Sequence, residues 1–476
     1  MRLSHALICA AIVARAGVPV LAQEFPPRDP NIQSLVDAAA SVPPEFSADA
    51  LIRLSGSPKV TEDAWRRELL DEAFFRAYGA QEQYRRSALQ PVPPDSRQGA
   101  NDLASATALN RVSLQVRAAQ LMAFVDPARA QELFEWIDLN LEPAACEDPL
   151  VPVVDEYYAA LSLLARTAFG SDRAEGIRFL ELYLWRAHLP SEMPAVARAL
   201  QRFRPHPDEA AYFEGLLRWI LEASSSDARG FSSSSLDMIS RMADLQDADR
   251  ALGVPNWYVM ETLRTYLLTQ TKAPRCGDSL SESLMPSTFN AALKLLHAER
   301  DVTPMDAEPP RPSKILGIAR IDLYWQTPET RALHDQAQRL WGPGQAPVVM
   351  RVRRTTEWRN QAAAMVTDLE QWSGRREASE RDYFYQKSVL FVTLLDLVPP
   401  GPVRTRTIRA FVDFLRHADV DRDRRTLWFA FVNRLLEMAR GGDRREILAA
   451  LEDSHHPVMS LYARMERAMP QARRTP

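Results

Sequence analysis

Acidic residues beside aromatic rings are the side chains of this sequence best suited to chemistry. Asp155 and Glu156 stand directly before Tyr157 and Tyr158, and Glu329 follows Tyr324-Trp325. Two carboxyl groups can serve as acid and base on a glycosidic bond, while rings stack on sugar faces. The same residues at helical spacing also read as core rings flanked by solvated acids, and this plainer reading is preferred. His455 and His456 beside Asp453 form the densest set of potential metal ligands. Adjacent residues on a helix point in different directions, so these histidines are poor co-ligands. With Pro457 next to them, they read as the start of the last helix. No metal and no cofactor is expected, and no residue is assigned a catalytic role.

Motifs that define common catalysts are missing. The chain has no Gly-x-Ser-x-Gly elbow, no phosphate loop, no dinucleotide fingerprint and no His-Glu-x-x-His helix. Glu282-Ser283 resembles the Glu-Ser pair of the helical lytic transglycosylases, which cleave cell-wall glycan. The resemblance covers two residues, and the glycine-rich sequence that follows the pair in that family is missing here. It implies, as the alternative function, a glycan- or cell-wall-acting hydrolase on an all-helical scaffold. Two dense aromatic runs, Tyr383-Phe384-Tyr385-Gln386-Lys387 and Trp428-Phe429-Ala430-Phe431, suit either a groove for a partner helix or buried packing. Four consecutive apolar residues cover most of a helix turn, which favours burial.

The first 22 residues carry an address. Arg2 and His5 precede the apolar run Ala6 to Val13, and Val20-Leu21-Ala22 closes the segment with residues that signal peptidase accepts. Arg15 shortens the apolar stretch. Cleavage is expected after Ala22, leaving Gln23 first in a periplasmic or extracellular protein. Formal charge is −4, or −6 without Arg2 and Arg15. That acidity argues against nucleic acid as a partner. The cations are nearly all arginine, with only Lys59, Lys272, Lys294, Lys314 and Lys387 as lysines, and they are dispersed rather than clustered into an anion-binding patch. The later apolar run Val389 to Leu395 ends at Asp396, so no transmembrane segment is expected in the mature chain.

Two cysteines remain after cleavage, Cys146 and Cys276. An even pair in an oxidising compartment points to one disulfide. The bridge requires Cα atoms within about 7 Å. It therefore requires residues 146–276 to curl into a compact unit rather than an open stack.

The elements that must position these residues are helices almost throughout. Trp65, Leu69, Leu70, Ala73, Phe74 and Ala77 fall at three- and four-residue steps, as do Leu103, Leu109, Val112, Val116 and Leu121. Asp126-Pro127 is a helix start, Gly170 and Gly253 are stops, and Ser379 with Asp382 has capping-box spacing. Val348 to Val352 is the single strand-like run. Prolines fall between helical segments more often than inside them, giving about 16 to 18 helices with short, antiparallel connections. Longer interruptions lie at 85–99, 224–235 and 299–313, and the last is the best candidate domain boundary. The expectation is an all-α protein of antiparallel helix pairs, in a curved array or two packed bundles. Its parts are a leader (1–22), an N-terminal helical domain (23–300) and a C-terminal helical domain (314–476). Its leading function is a non-catalytic scaffold or binding module for a protein or envelope component.

Overall fold

The computed structural model describes residues 28–80, 85–87, 97–139, 141, 150–225, 232–251, 257–271, 276–277, 279–307, 314–315, 328–341, 355–373, 380–418 and 425–469. They form an all-α structure. The first half runs through α1 (Pro30–Ala39), α2 (Pro44–Ser55), α3 (Asp63–Arg76), α4 (Arg97–Ser105), α5 (Arg111–Met122) and α6 (Pro127–Glu135), then α7 (Asp155–Thr167), α8 (Arg173–Leu184), α9 (Met193–Phe203) and α10 (Ala210–Ser225). It continues with α11 (Ser232–Ala251), α12 (Trp257–Gln270) and α13 (Ser279–Leu295). The rest comprises α14 (Pro328–Trp341), α15 (Thr356–Gln371), α16 (Glu380–Leu397), α17 (Pro402–His417), α18 (Arg425–Met438), α19 (Arg444–Asp453) and α20 (Pro457–Ala468).

Local chemistry sets several of these ends. Asp126 accepts the Arg129 backbone N–H at 3.0 Å, with Pro127 as the first residue of α6. Gly170 takes φ +58 just past α7. The apolar series from Leu103 to Leu121 is two helices rather than one. Asn110 caps α5 by accepting the Ser113 N–H at 2.9 Å, and Ala108 turns the chain with φ +53. The structure also has two short ribbons. Residues Arg85–Ser87 pair antiparallel with Leu150–Pro152, and Cys276–Gly277 pair parallel with Lys314–Ile315. The strand-like run at 348–352, Cys146, Ser379 and residues 308–313 of the interhelical boundary lie outside the described residues.

Alternate helices stack: α5 on α7, α7 on α9, α9 on α11 and α11 on α13. The helices α8, α10 and α12 form a second layer against α7, α9 and α11. At Gly176 of α8, a Cβ would collide with the Ala165 carbonyl of α7, so this residue sets the close approach of the two helices. The helices before and after 299–313 share one continuous apolar core.

The far end of the chain returns to its beginning. Helix α20 packs on α1 and α2, and α18 packs on α4. At this closure Phe46 of α2 meets Trp428 and Phe429 of α18, with ring centroids 6.0 and 5.1 Å apart. Asp49 of α2 is fully buried there. Its carboxylate accepts from Arg117 Nη2 of α5 at 2.8 Å and Tyr462 Oη of α20 at 2.6 Å, and pairs with Arg53 Nε at 2.7 Å. Burial pushes the Asp49 carboxyl up, but Arg53, Arg117 and the Tyr462 hydrogen bond outweigh it and hold the group below its ordinary value. Replacing Asp49 by Ala leaves two guanidiniums without their shared counter-ion. The expected loss is about 3–5 kcal/mol, read in urea unfolding. Tyr462→Phe is expected to cost less, roughly 1.5–3 kcal/mol for one hydrogen bond to a charged group. A D49A midpoint equal to that of the native chain would refute the clamp.

Candidate functional site

The acid–aromatic pair picked out from sequence is part of the core. Tyr157 and Tyr158, in the first turn of α7, are 5% and 1% exposed. Tyr158 donates to Glu192 Oε1 at 2.6 Å, and the other Glu192 oxygen accepts the backbone N–H groups of His188 and Leu189. These rings therefore have no face to offer a sugar. Asp155 binds Arg198 of α9. The Glu156 carboxyl is pushed up by burial, against the opposing pull of Arg117 and Ser113. Tyr324 and Trp325 lie outside the described residues, while Glu329 falls in the first turn of α14. Glu282 is buried in the first turn of α13, and Ser283 beside it is exposed.

The two histidines diverge, as the sequence reading required. His455 sits in the turn after α19 with φ +55. His456 is the residue before α20, and its ring packs on Trp428 at 4.8 Å. Burial, followed by Arg416, lowers its affinity for a proton. Among the described residues no group of three His, Cys, Asp or Glu is placed to hold a metal ion. Cys276 falls in the short parallel ribbon, and its expected partner Cys146 is outside the described residues.

Both aromatic runs are packed inside. Phe384, Tyr385, Trp428, Phe429 and Phe431 are buried, with Phe384 stacked on Phe414 at 5.7 Å. The run in α16 delivers a residue that the sequence reading passed over. Lys387 is 5% exposed. Its amine donates to the Trp372 carbonyl at 2.6 Å and to Tyr383 Oη at 3.0 Å, over the Phe414 ring at 4.9 Å. Trp372 is the C-cap of α15, so the amine satisfies an orphan carbonyl at the negative helix end. Burial lowers the amine from 10.5 to about 8, partly offset by Glu370.

A concave surface lies elsewhere. A groove of about 590 Å³ runs between α17 and α19, within the usual range for small-molecule sites. Val412, Ala449 and Ala450 contribute apolar floor, and Arg409, Arg416, Arg445, Asp413, Glu446 and Asp453 line it with charge. All six charged residues are exposed. Several arginines elsewhere are matched to acids, among them Arg129 to Asp71 at 2.8 Å, Arg173 to Glu209 at 2.6 Å and Arg404 to Asp443 at 2.6 Å. Among the described residues Arg409, Arg416 and Arg445 make no ion pair. Their five-donor forks face the groove region uncommitted, which is the arrangement that recognises carboxylate or phosphate. The signal in sequence was the spacing of Arg409, Asp413 and Arg416, which puts three charges on one face of a helix.

The chain matches no protein-family model, and no curated protein or solved structure matches it. Among the described residues no helix is long and apolar enough to cross a membrane.

Lys387 gives a pH signature. Its folded value lies below its unfolded one, so between about 8 and 10.5 the unfolded chain binds more protons. Stability contributed by this site is thus withheld below pH 8 and recovered as pH rises to 10.5. The gain is on the order of 1–3 kcal/mol. Urea midpoints at pH 7.5 and 10 should differ more in the native chain than in Lys387→Met, and equal differences would remove the assignment.

Proposed function

We propose that this protein is an exported, non-catalytic helical binding module of the cell envelope, and that the α17–α19 groove holds its ligand. The observation that carries the reading is the set of three guanidiniums, Arg409, Arg416 and Arg445, that line one groove and make no ion pair among the described residues. What sets these three apart is that they line one concave surface together, with their guanidiniums open to a ligand. The expected leader supports the envelope address, and the proposal includes a Cys146–Cys276 disulfide formed there.

A second reading, action on glycan, is favoured by one surface feature. Trp185 and Trp219 are 47% and 37% exposed, with ring centroids 4.1 Å apart. The Trp185 indole N–H is fixed on Glu181 Oε1 at 2.9 Å. Such a platform suits sugar stacking. A purified chain that releases no reducing ends from cell-wall glycan excludes the hydrolase.

Two experiments test the main reading. Intact mass of the exported protein, with alkylation before and after reduction, should begin at Gln23 and show no free thiol until reduction. An uncleaved chain with two alkylatable thiols overturns both the address and the bridge. For the groove, thermal shifts are measured with phosphate, citrate, amino acids, tripeptides and neutral oligosaccharides. A charged solute should raise the midpoint of the native chain and leave that of the R409Q/R416Q/R445Q variant unmoved. Equal behaviour of the two proteins throughout sinks the groove reading.

A further inference from the structure

The groove is polar along its length, and this follows from how its two walls are aligned. Arg404, near the start of α17, grips Asp443, the residue before α19, at 2.6 Å. Arg416, near the end of α17, acts electrostatically on His456, three residues past α19. Like ends therefore lie together, and α17 and α19 run parallel in register. With 1.5 Å of rise per residue, this register sorts the lining charges into two groups. Arg445, Glu446 and Arg409 fall toward the N-terminal end, and Asp413, Asp453 and Arg416 toward the C-terminal end. The first group is net positive and the second net negative, with centres about 10 Å apart. The helix dipoles have the same sense, positive at both N-termini and negative at both C-termini, so they reinforce the charges. Asp413 also meets His417 Nδ1 at 3.3 Å, an exposed contact that carries an ion pair when the histidine is protonated.

We propose that the groove binds a short zwitterionic peptide with its free carboxylate against Arg409 and Arg445 and its free amine against Asp413 and Asp453. This rests on the reading of the groove as the ligand site. The spacing selects the size, because three extended residues at about 3.3 Å each span the same 10 Å. The floor of Val412, Ala449 and Ala450 accepts small apolar side chains. An inorganic anion would satisfy one end only and leave the acidic end facing water.

The test is calorimetric titration of the full mature chain with Ala-Ala-Ala carrying both free termini, its N-acetyl form, its C-amide form and the doubly blocked form. Blocking either end should weaken binding about tenfold, the usual size of one lost charge pair of about 1.4 kcal/mol. Matching should be end-specific. R409Q/R445Q should bind the free and C-amide peptides alike, and D413N/D453N should bind the free and N-acetyl peptides alike. All four residues are exposed, so both variants are expected to keep the native melting midpoint. Doubly blocked peptide binding as well as free peptide, or the two variants exchanging their preferences, overturns the inference. Binding of phosphate that needs Arg409 and Arg445, with no heat from the tripeptide, removes the peptide and keeps the groove. No arginine-dependent heat from either probe removes both.

Discussion

A carboxylate shut away from water must be neutralised where it stands, and Asp49 imposes that condition on both ends of the chain. Its two oxygens are taken by Arg53 from its own helix, Arg117 from α5 and Tyr462 from the last helix. Removing any one of these raises the cost of burying the charge. The last helix is thus required by the second one, and the long array is closed rather than open-ended. The Arg53 guanidinium also lies over the Tyr462 ring at 5.2 Å, so one side chain serves the carboxylate and the ring together. Arg425 of α18 reaching Glu45 at 3.4 Å and Arg464 of α20 reaching Ser34 at 2.9 Å extend the same closure outward.

The remaining interior is held by ordinary apolar burial, with polar groups used where helices must be indexed against each other. Glu192 does this at the α7–α9 contact. It takes the Tyr158 hydroxyl with one oxygen and the turn before α9 with the other. Lys387 does the same for α15 and α16, holding the final carbonyl of one helix from within the other. In each case a buried polar group has its partners supplied by a neighbouring element, so that sliding of one helix would strand it.

The all-α class was legible because helical periodicity is a local property. It needs no knowledge of partners, and neither do the cap at Asp126 and the stop at Gly170. Helix α2 was not legible, because it is buried on nearly every side, polar positions included. Glu45, Ser47 and Asp49 are buried among its apolar residues, and the partners that permit this lie 68 and 413 residues away from Asp49. The ribbons escaped for a related reason, since runs of two or three residues become strands only by pairing with a distant segment. Tyr157 and Tyr158 lie in the core, as the plainer reading of the sequence had it. An acid beside a ring is common on any helix whose interior face is aromatic. The groove sat between these cases. Half of it is one helix face, visible as charges at regular spacing, and half arrives from α19 through a register that no local pattern reports.

That register also explains why the groove charges are informative. Arg404 and Asp443 bridge the same helix pair that carries Arg409 and Arg445, yet among the described residues Arg409 and Arg445 make no ion pair. Pairing is therefore available to this interface and is used where it aligns the helices. Beyond that point α17 and α19 present Val412, Ala449 and Ala450 to each other, small residues that leave a space between the charged rims. Exposed guanidiniums cost little while water solvates them, so the free chain tolerates the arrangement. A ligand lying in the groove displaces that water and raises the worth of each charge contact at once. Parallel helices make the effect directional, since their dipoles add along the groove instead of cancelling as they would in an antiparallel pair. Selectivity in such a site comes from matching both ends simultaneously, because a ligand that satisfies one end leaves the other to be desolvated without compensation.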